Sequence, residues 1–188
     1  MNIVLINGKA RSGKNYFADK LKYSLTAAGR TSEIMEFSDP IKEIISDTLG
    51  ISIDELNNFK NEPEKISLVV SNNGAYKQLT NFRQLLQQFG TEAMMQQFGK
   101  HVWVDLLEKR ANKSDSDFII VPSFRFPHEA ISPLTVHIKN DNIVSNDAHA
   151  SENALNDFEF WETVDNTGYK DLTRATEHMA QMLINLNP

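Results

Sequence analysis

Seven residues, Gly8-Lys9-Ala10-Arg11-Ser12-Gly13-Lys14, have the spacing G-x-x-x-x-G-K. Glycines at both ends let a backbone wrap closely around an anion, and the unpaired N–H groups of such a turn, with the helix N-terminus behind it, face phosphate oxygens. A lysine in the last position reaches the β- and γ-phosphates of a nucleoside triphosphate. Lys14 is therefore expected to stand exposed at the cradle. Asn15 occupies the place where a Ser or Thr hydroxyl normally meets Mg²⁺, so an amide oxygen or a bridging water would have to serve. Lys9 and Arg11 also read as ordinary solvated loop cations.

Three further clusters carry groups suited to a second phosphorylated molecule. In Phe37-Ser38-Asp39-Pro40-Ile41-Lys42, Asp39 could accept a proton or position an acceptor, and it equally fits a helix N-cap. Arg83, Gln87, Gly90 and Thr91 recur at helical spacing, so a guanidinium and an amide share one helix face, a pairing suited to a phosphate and a base. Ser123-Phe124-Arg125-Phe126-Pro127-His128-Glu129 places an arginine just beyond an apolar run, where it could stabilise charge on a transferring phosphoryl group; a local pair with Glu129 is the plainer alternative. His101, His128, His137, His149 and His178 show no metal-ligand spacing, and Trp103, Met94 and Met95 read as core residues.

These groups need elements to hold them. Met1–Asn7, with Ile3 to Ile6 apolar without alternation, and the apolar run Phe118–Val121 have the pattern of parallel strands covered on both faces. Shorter strands are expected at 33–37, 134–138 and 161–164. Residues 15–28 repeat apolar side chains at helical spacing and end at Gly29; a second helix starts at Pro40 with Asp39 as N-cap and ends at Gly50. Further helices are expected at 53–59, at 81–98 with an interruption at Gly90, at 102–112, and from Leu172 to Leu186. Residues 61–65 and 71–75 read as loops. Strands alternating with helices predict an α/β fold, a parallel sheet of about five strands flanked by helices. The chain reads as one domain over 1–188, with an acceptor-binding or lid insertion at 51–115.

Composition excludes several classes. The 188 residues hold no cysteine, so disulfides, thiolate nucleophiles and cysteine metal sites are ruled out. A net charge of −6 with no basic stripe argues against nucleic acid as a partner. No run approaches the ~20 apolar residues that cross a bilayer, and the first residues lack a signal-peptide pattern. A cytoplasmic protein without membrane attachment is expected.

Taken together, G-K-A-R-S-G-K at 8–14, F-S-D-P-I-K at 37–42, R-Q-L-L-Q-Q-F-G-T-E at 83–92, F-G-K-H-V-W-V at 98–104, R-F-P-H-E-A at 125–130 and V-D-N-T-G at 164–168 resemble the phage-type deoxynucleoside monophosphate kinases, a P-loop family. The resemblance implies ATP and Mg²⁺ as donor and cofactor and a deoxynucleoside monophosphate as acceptor; a homodimer is one possible assembly, which the sequence does not decide. It puts Gly8, Arg11, Ser12, Gly13, Lys14, Asn15 and Tyr16 at the triphosphate. It puts Asp39, Lys42, Arg83, Gln87, Gly90, Thr91, Trp103, Arg125 and Glu129 at the acceptor, with Lys14, Arg125 and Arg83 acting in transfer. Ser123 stands where the family often has an acid, and with Asn15 it would make a weak metal partner. In-line transfer requires water to be excluded, and the polar stretches 51–80 and 139–158 are the segments suited to closing. A dephospho-coenzyme A or phosphomevalonate kinase-like enzyme, or a nucleotide-binding regulatory protein with weakened turnover, are the alternative readings.

Overall fold

A computed structural model describes residues 2–61, 68–72, 75–79, 85–86, 88–143, 153–168 and 170–186. The chain divides into two compact units. The first comprises residues 1–37 and 107–188, and the second residues 38–106.

The first unit is built on a five-stranded parallel sheet. Its strands are β1 (Asn2–Asn7), β2 (Ser32–Ile34), β5 (Phe118–Val121), β6 (Thr135–Lys139) and β7 (Glu162–Asp165), in the order β2-β5-β1-β6-β7. β1 is central, with Leu5 opposite both Val121 and Thr135. All four residues of β5 and Val4, Leu5 and Ile6 of β1 are buried, as expected for strands covered on both faces. Helix α1 (Lys14–Ala27) turns Phe17, Ala18, Leu21 and Leu25 onto the core, and packs beside the last helix, α5 (Thr173–Leu186), which contributes Met179, Ala180 and Leu183. α1 ends where Gly29 takes φ 77°. There Arg30 N–H donates to Leu25 O at 2.9 Å and Gly29 N–H to Thr26 O at 3.0 Å, the paired closing bonds of a glycine-terminated helix.

The second unit holds α2 (Asp39–Leu49), α3 (Ile53–Asn61), an antiparallel hairpin of β3 (Leu68–Asn72) and β4 (Ala75–Leu79), a π-helical segment Gln88–Met95 that runs on as α-helix through Gln96–Phe98, and the start of α4 (Val102–Ala111).

Several expectations change. β2 is shorter and earlier than 33–37, because its partner β5 ends at Val121 and the ladder runs out; Met35 and Phe37 are buried beyond it. Asp39 is not the N-cap of α2: Ser38 is, and Asp39 is the first helical residue, ahead of Pro40. The loop expected at 71–75 lies largely within a hairpin, with Asn72 opposite Ala75. Gly90 does not interrupt its helix but sits inside the wider π-helical turn. The expected loop at 61–65 lies mostly outside the described residues, as do parts of the two stretches suited to closing.

The core rests on close packing around β1 and β5. Ile120, fully buried in β5, should cost about 2–5 kcal/mol when cut to alanine, through lost transfer energy and the cavity left behind. Urea denaturation of Ile120→Ala checks this; a loss below about 1 kcal/mol would mean that the site collapses to fill the void.

Candidate active site

The loop between β1 and α1 is the centre of the site in the first unit. Gly8 has φ 153° and Gly13 φ 99°, while Arg11 is the one described non-glycine residue with positive φ, at 64°. A side chain is excluded at both glycines: a Cβ on Gly8 would lie 2.5 Å from Ser12 Oγ and 2.6 Å from Ile138 O, and one on Gly13 would lie 2.5 Å from Asn166 Nδ2. The loop is thus held open by the absence of two methyl groups. Behind it, α1 starts without a side-chain cap and without an acidic residue in its first turn. Its leading N–H groups and its positive dipole end therefore suit an anion.

Lys14 is buried, at 8 % exposure, contrary to the expectation of an exposed cation. Its Nζ donates to Gly8 O at 2.6 Å and to Lys9 O at 2.8 Å, so the ammonium folds back onto its own loop. The buried Ser12 hydroxyl has no hydrogen-bond partner. A buried cation, an orphan hydroxyl and an uncapped helix N-terminus around one loop are groups that a polyphosphate would satisfy.

Two strand ends brace this loop. At the end of β1, Asn7 Nδ2 donates to Phe124 O at 2.9 Å, which leaves Asn7 Oδ1 to accept from His137 Nδ1 at 2.9 Å. His137 lies on β6, with its ring 4.9 Å from that of Phe160; Phe160 also meets Phe158 and Phe124. Burial holds the His137 imidazolium below its ordinary range, and the cations of Lys14, Lys139 and Lys9 push the same way, so the ring is neutral at pH 7. At the end of β7, Asn166 Nδ2 donates to Ser12 O at 2.8 Å. Sequence reasoning singled out neither His137 nor Asn166 as a site residue. V-D-N-T-G at 164–168 carried the signal for Asn166, and for His137 the signal was its place near the carboxyl end of an expected strand.

Beyond β5, which neighbours β1, the chain forms the Ser123–Glu129 cluster. Ser123 Oγ accepts the Phe37 N–H at 3.0 Å, tying the segment after β2 to the segment after β5. Pro127–Glu129 is a 3₁₀ turn, and the Glu129 carboxylate accepts N–H groups from Arg125 at 2.7 Å and Phe126 at 3.0 Å. The four-residue spacing of R-F-x-x-E thus lets a carboxylate fold back on the backbone that presents Arg125. Burial pushes the Glu129 carboxyl up to about 7, against the opposing effects of those two N–H bonds and of the Arg125 cation.

In the second unit, Lys42 Nζ and Asp39 Oδ1 are 3.3 Å apart, and Lys42 is buried. Trp103 is also buried, and its Nε1–H donates to Gly90 O at 2.9 Å. A Cβ on Gly90 would lie 2.7 Å from Ile41 Cδ1, so α2, the π-helical segment and α4 meet at this glycine. Thr91 follows it in the same segment. Arg83 and Gln87 lie outside the described residues.

Among the described residues, no three His, Cys, Asp or Glu side chains converge as a metal cage. Asn15 is exposed, and Ser123 already accepts a backbone N–H. A Mg²⁺ ion that arrives with a nucleotide keeps several waters and takes phosphate oxygens, so few protein ligands are needed. Neutral groups such as Asn15 fit that arrangement.

A phosphate-type loop between the central strand of a parallel sheet and the first helix defines an α/β fold of P-loop NTPase type. A family model described as deoxynucleotide monophosphate kinase matches residues 52–171, and the chain belongs to that family. The match begins beyond the loop at 8–14, so the two observations are separate. The deoxynucleoside-5'-monophosphate kinase of Escherichia phage T5 is 28% identical over 85 residues, covering 45% of this chain and 34% of the phage protein. The chain therefore spans about a third of the length of that curated relative. No helix among the described residues is long and apolar enough to cross a membrane.

Glu129 makes the site's pH response testable. In the unfolded chain its carboxyl ionises near 4.5, in the folded chain near 7. The folded state therefore binds the extra proton between these values, and the stability this confers is present below about 4.5 and lost as pH rises through about 7. The stability of the native protein relative to Glu129→Gln should fall by about 1–3 kcal/mol from pH 5 to pH 8. Urea denaturation at four pH values measures it; a constant difference would show that the carboxyl is ionised throughout.

Proposed function

We propose that the protein transfers the γ-phosphoryl group of ATP to a deoxynucleoside monophosphate, giving the diphosphate. The observation that carries this reading is the loop 8–14, with its buried Lys14 cation and partnerless Ser12 hydroxyl, in a chain of the deoxynucleotide monophosphate kinase family. In this reading Lys14 leaves the Gly8 and Lys9 carbonyls for the β/γ-phosphates, and the N–H groups of Gly13, Lys14, Asn15 and Tyr16 hold phosphate oxygens. Mg²⁺ supplies charge neutralisation at the phosphates when bound. Arg125, its backbone fixed by Glu129, and Arg83 hold the acceptor phosphate in line. Asp39, Lys42, Gln87, Gly90, Thr91 and Trp103 complete acceptor recognition. Transfer proceeds without a covalent enzyme intermediate, by positioning and charge stabilisation. The site belongs to a cytoplasmic enzyme of small-molecule substrates, with neither nucleic acid nor membrane as partner.

One observation favours a second reading. The Ser123 hydroxyl accepts the Phe37 N–H, so a metal at this position would compete with a structural bond. This suits a nucleotide-binding regulatory protein with weakened turnover.

A coupled assay with ATP, Mg²⁺ and each common deoxy- and ribonucleoside monophosphate tests the proposal. ADP release with at least one deoxynucleotide supports it. ATP binding without release in any combination supports the regulatory reading and overturns the proposal. Lys14→Ala should lower kcat by about 100-fold or more. Arg125→Ala should raise KM for the monophosphate by about ten- to a hundredfold with little effect on ATP; equal effects on both substrates would place Arg125 at the donor.

A further inference from the structure

We infer that Asn166 is a positioning residue that aims the phosphate loop, by holding the Ser12 carbonyl so that the Gly13 N–H faces the anion. The inference rests on the reading of loop 8–14 as the triphosphate site. The described residues include no cis peptide bond, so the Ser12–Gly13 unit is trans and its C=O and N–H point in opposite directions. Whatever anchors the carbonyl therefore directs the N–H. The anchor is the Asn166 amide, whose Nδ2 donates to Ser12 O at 2.8 Å in a buried setting.

The anchor is itself rigidly placed. Asn166 directly follows the last residue of β7, where Asp165 pairs with Lys139, and its own N–H donates to Lys139 O at 2.7 Å. Position 166 is therefore fixed by the sheet rather than by the loop it holds. Contact between the two is close: a Cβ on Gly13 would lie 2.5 Å from Asn166 Nδ2, so glycine lets the loop reach the amide.

The remaining atoms separate positioning from direct binding. Asn166 Oδ1 is buried and without a partner, as is Ser12 Oγ. Oδ1 can only accept, and a phosphate oxygen cannot donate to it; with Nδ2 committed to Ser12, Asn166 acts on the anion through the loop. The Ser12 hydroxyl can donate, and a phosphate oxygen supplies its missing acceptor.

A purely structural tie between β7 and the loop would change stability without changing affinity for the anion. Asn166→Ala removes the tie, and Asn166→Asp keeps its shape while turning the donor into an acceptor opposed to the Ser12 carbonyl. Calorimetric titration of the full chain with ATP and Mg²⁺, and with inorganic tripolyphosphate, gives the affinities; a melting curve establishes that each variant is folded. Both ligands should bind about tenfold or more weakly to the variants, with the Asp form at least as impaired as the Ala form. KM for the monophosphate should stay within about twofold. A folded Asn166→Asp protein that binds both triphosphates within about twofold of the native protein would overturn the inference and leave the loop's assignment standing. Failure of the native protein to bind either ligand would overturn that assignment, and this inference with it.

Discussion

Residues 8–13 must carry the chain from the middle of a parallel sheet to the start of a helix, through glycines at φ 153° and 99° and a left-handed Arg11. That constraint organises the first unit. Backbone in these conformations is costly, so a loop of this kind persists only where its surroundings hold it rigidly. Here the surroundings are strands of the sheet. Asn7 closes β1 with bonds to Phe124 O and His137, Asn166 follows β7 and holds Ser12 O, and Ile138 O of β6 lies where only a glycine fits at position 8. Lys14 serves the same end from inside, its ammonium taking the carbonyls of Gly8 and Lys9.

The Lys14 ammonium is buried and donates to the Gly8 and Lys9 carbonyls. In the proposed function it would exchange these carbonyls for phosphate oxygens. Glu129 fixes a second turn, beyond β5. Its carboxylate gathers the N–H groups of Arg125 and Phe126 and keeps that turn closed.

Legibility in the sequence followed the range of the interactions. β5 was readable to the residue, because Phe118–Val121 is a short apolar run bounded by Asp117 and Pro122. The G-x-x-x-x-G-K loop was readable because its chemistry is contiguous. The β3–β4 hairpin carried a local sign, Asn73-Gly74 between the paired residues Asn72 and Ala75, but its polar flanks made 71–75 read as a loop. The π-helical turn at Gly90 depends on Ile41 and Trp103, which approach from elsewhere in the chain. Asn166 and His137 were the hardest to see, since each acts across more than 120 residues; only Asn166 sat in a motif, V-D-N-T-G, and that motif did not say what its amide would hold. The burial of Lys14 was equally invisible, as it follows from loop carbonyls turning inward rather than from residue type.

In the proposed function, the loop between β1 and α1 holds the triphosphate. Amide chemical-shift mapping of the ¹⁵N-labelled protein during titration with ATP and Mg²⁺ tests it without relying on turnover. The account predicts saturable shifts concentrated at Gly8 to Tyr16 and at Asn166, with the largest at Gly13 and Lys14. Saturable shifts that leave these residues unmoved, or no shifts at all, would contradict it.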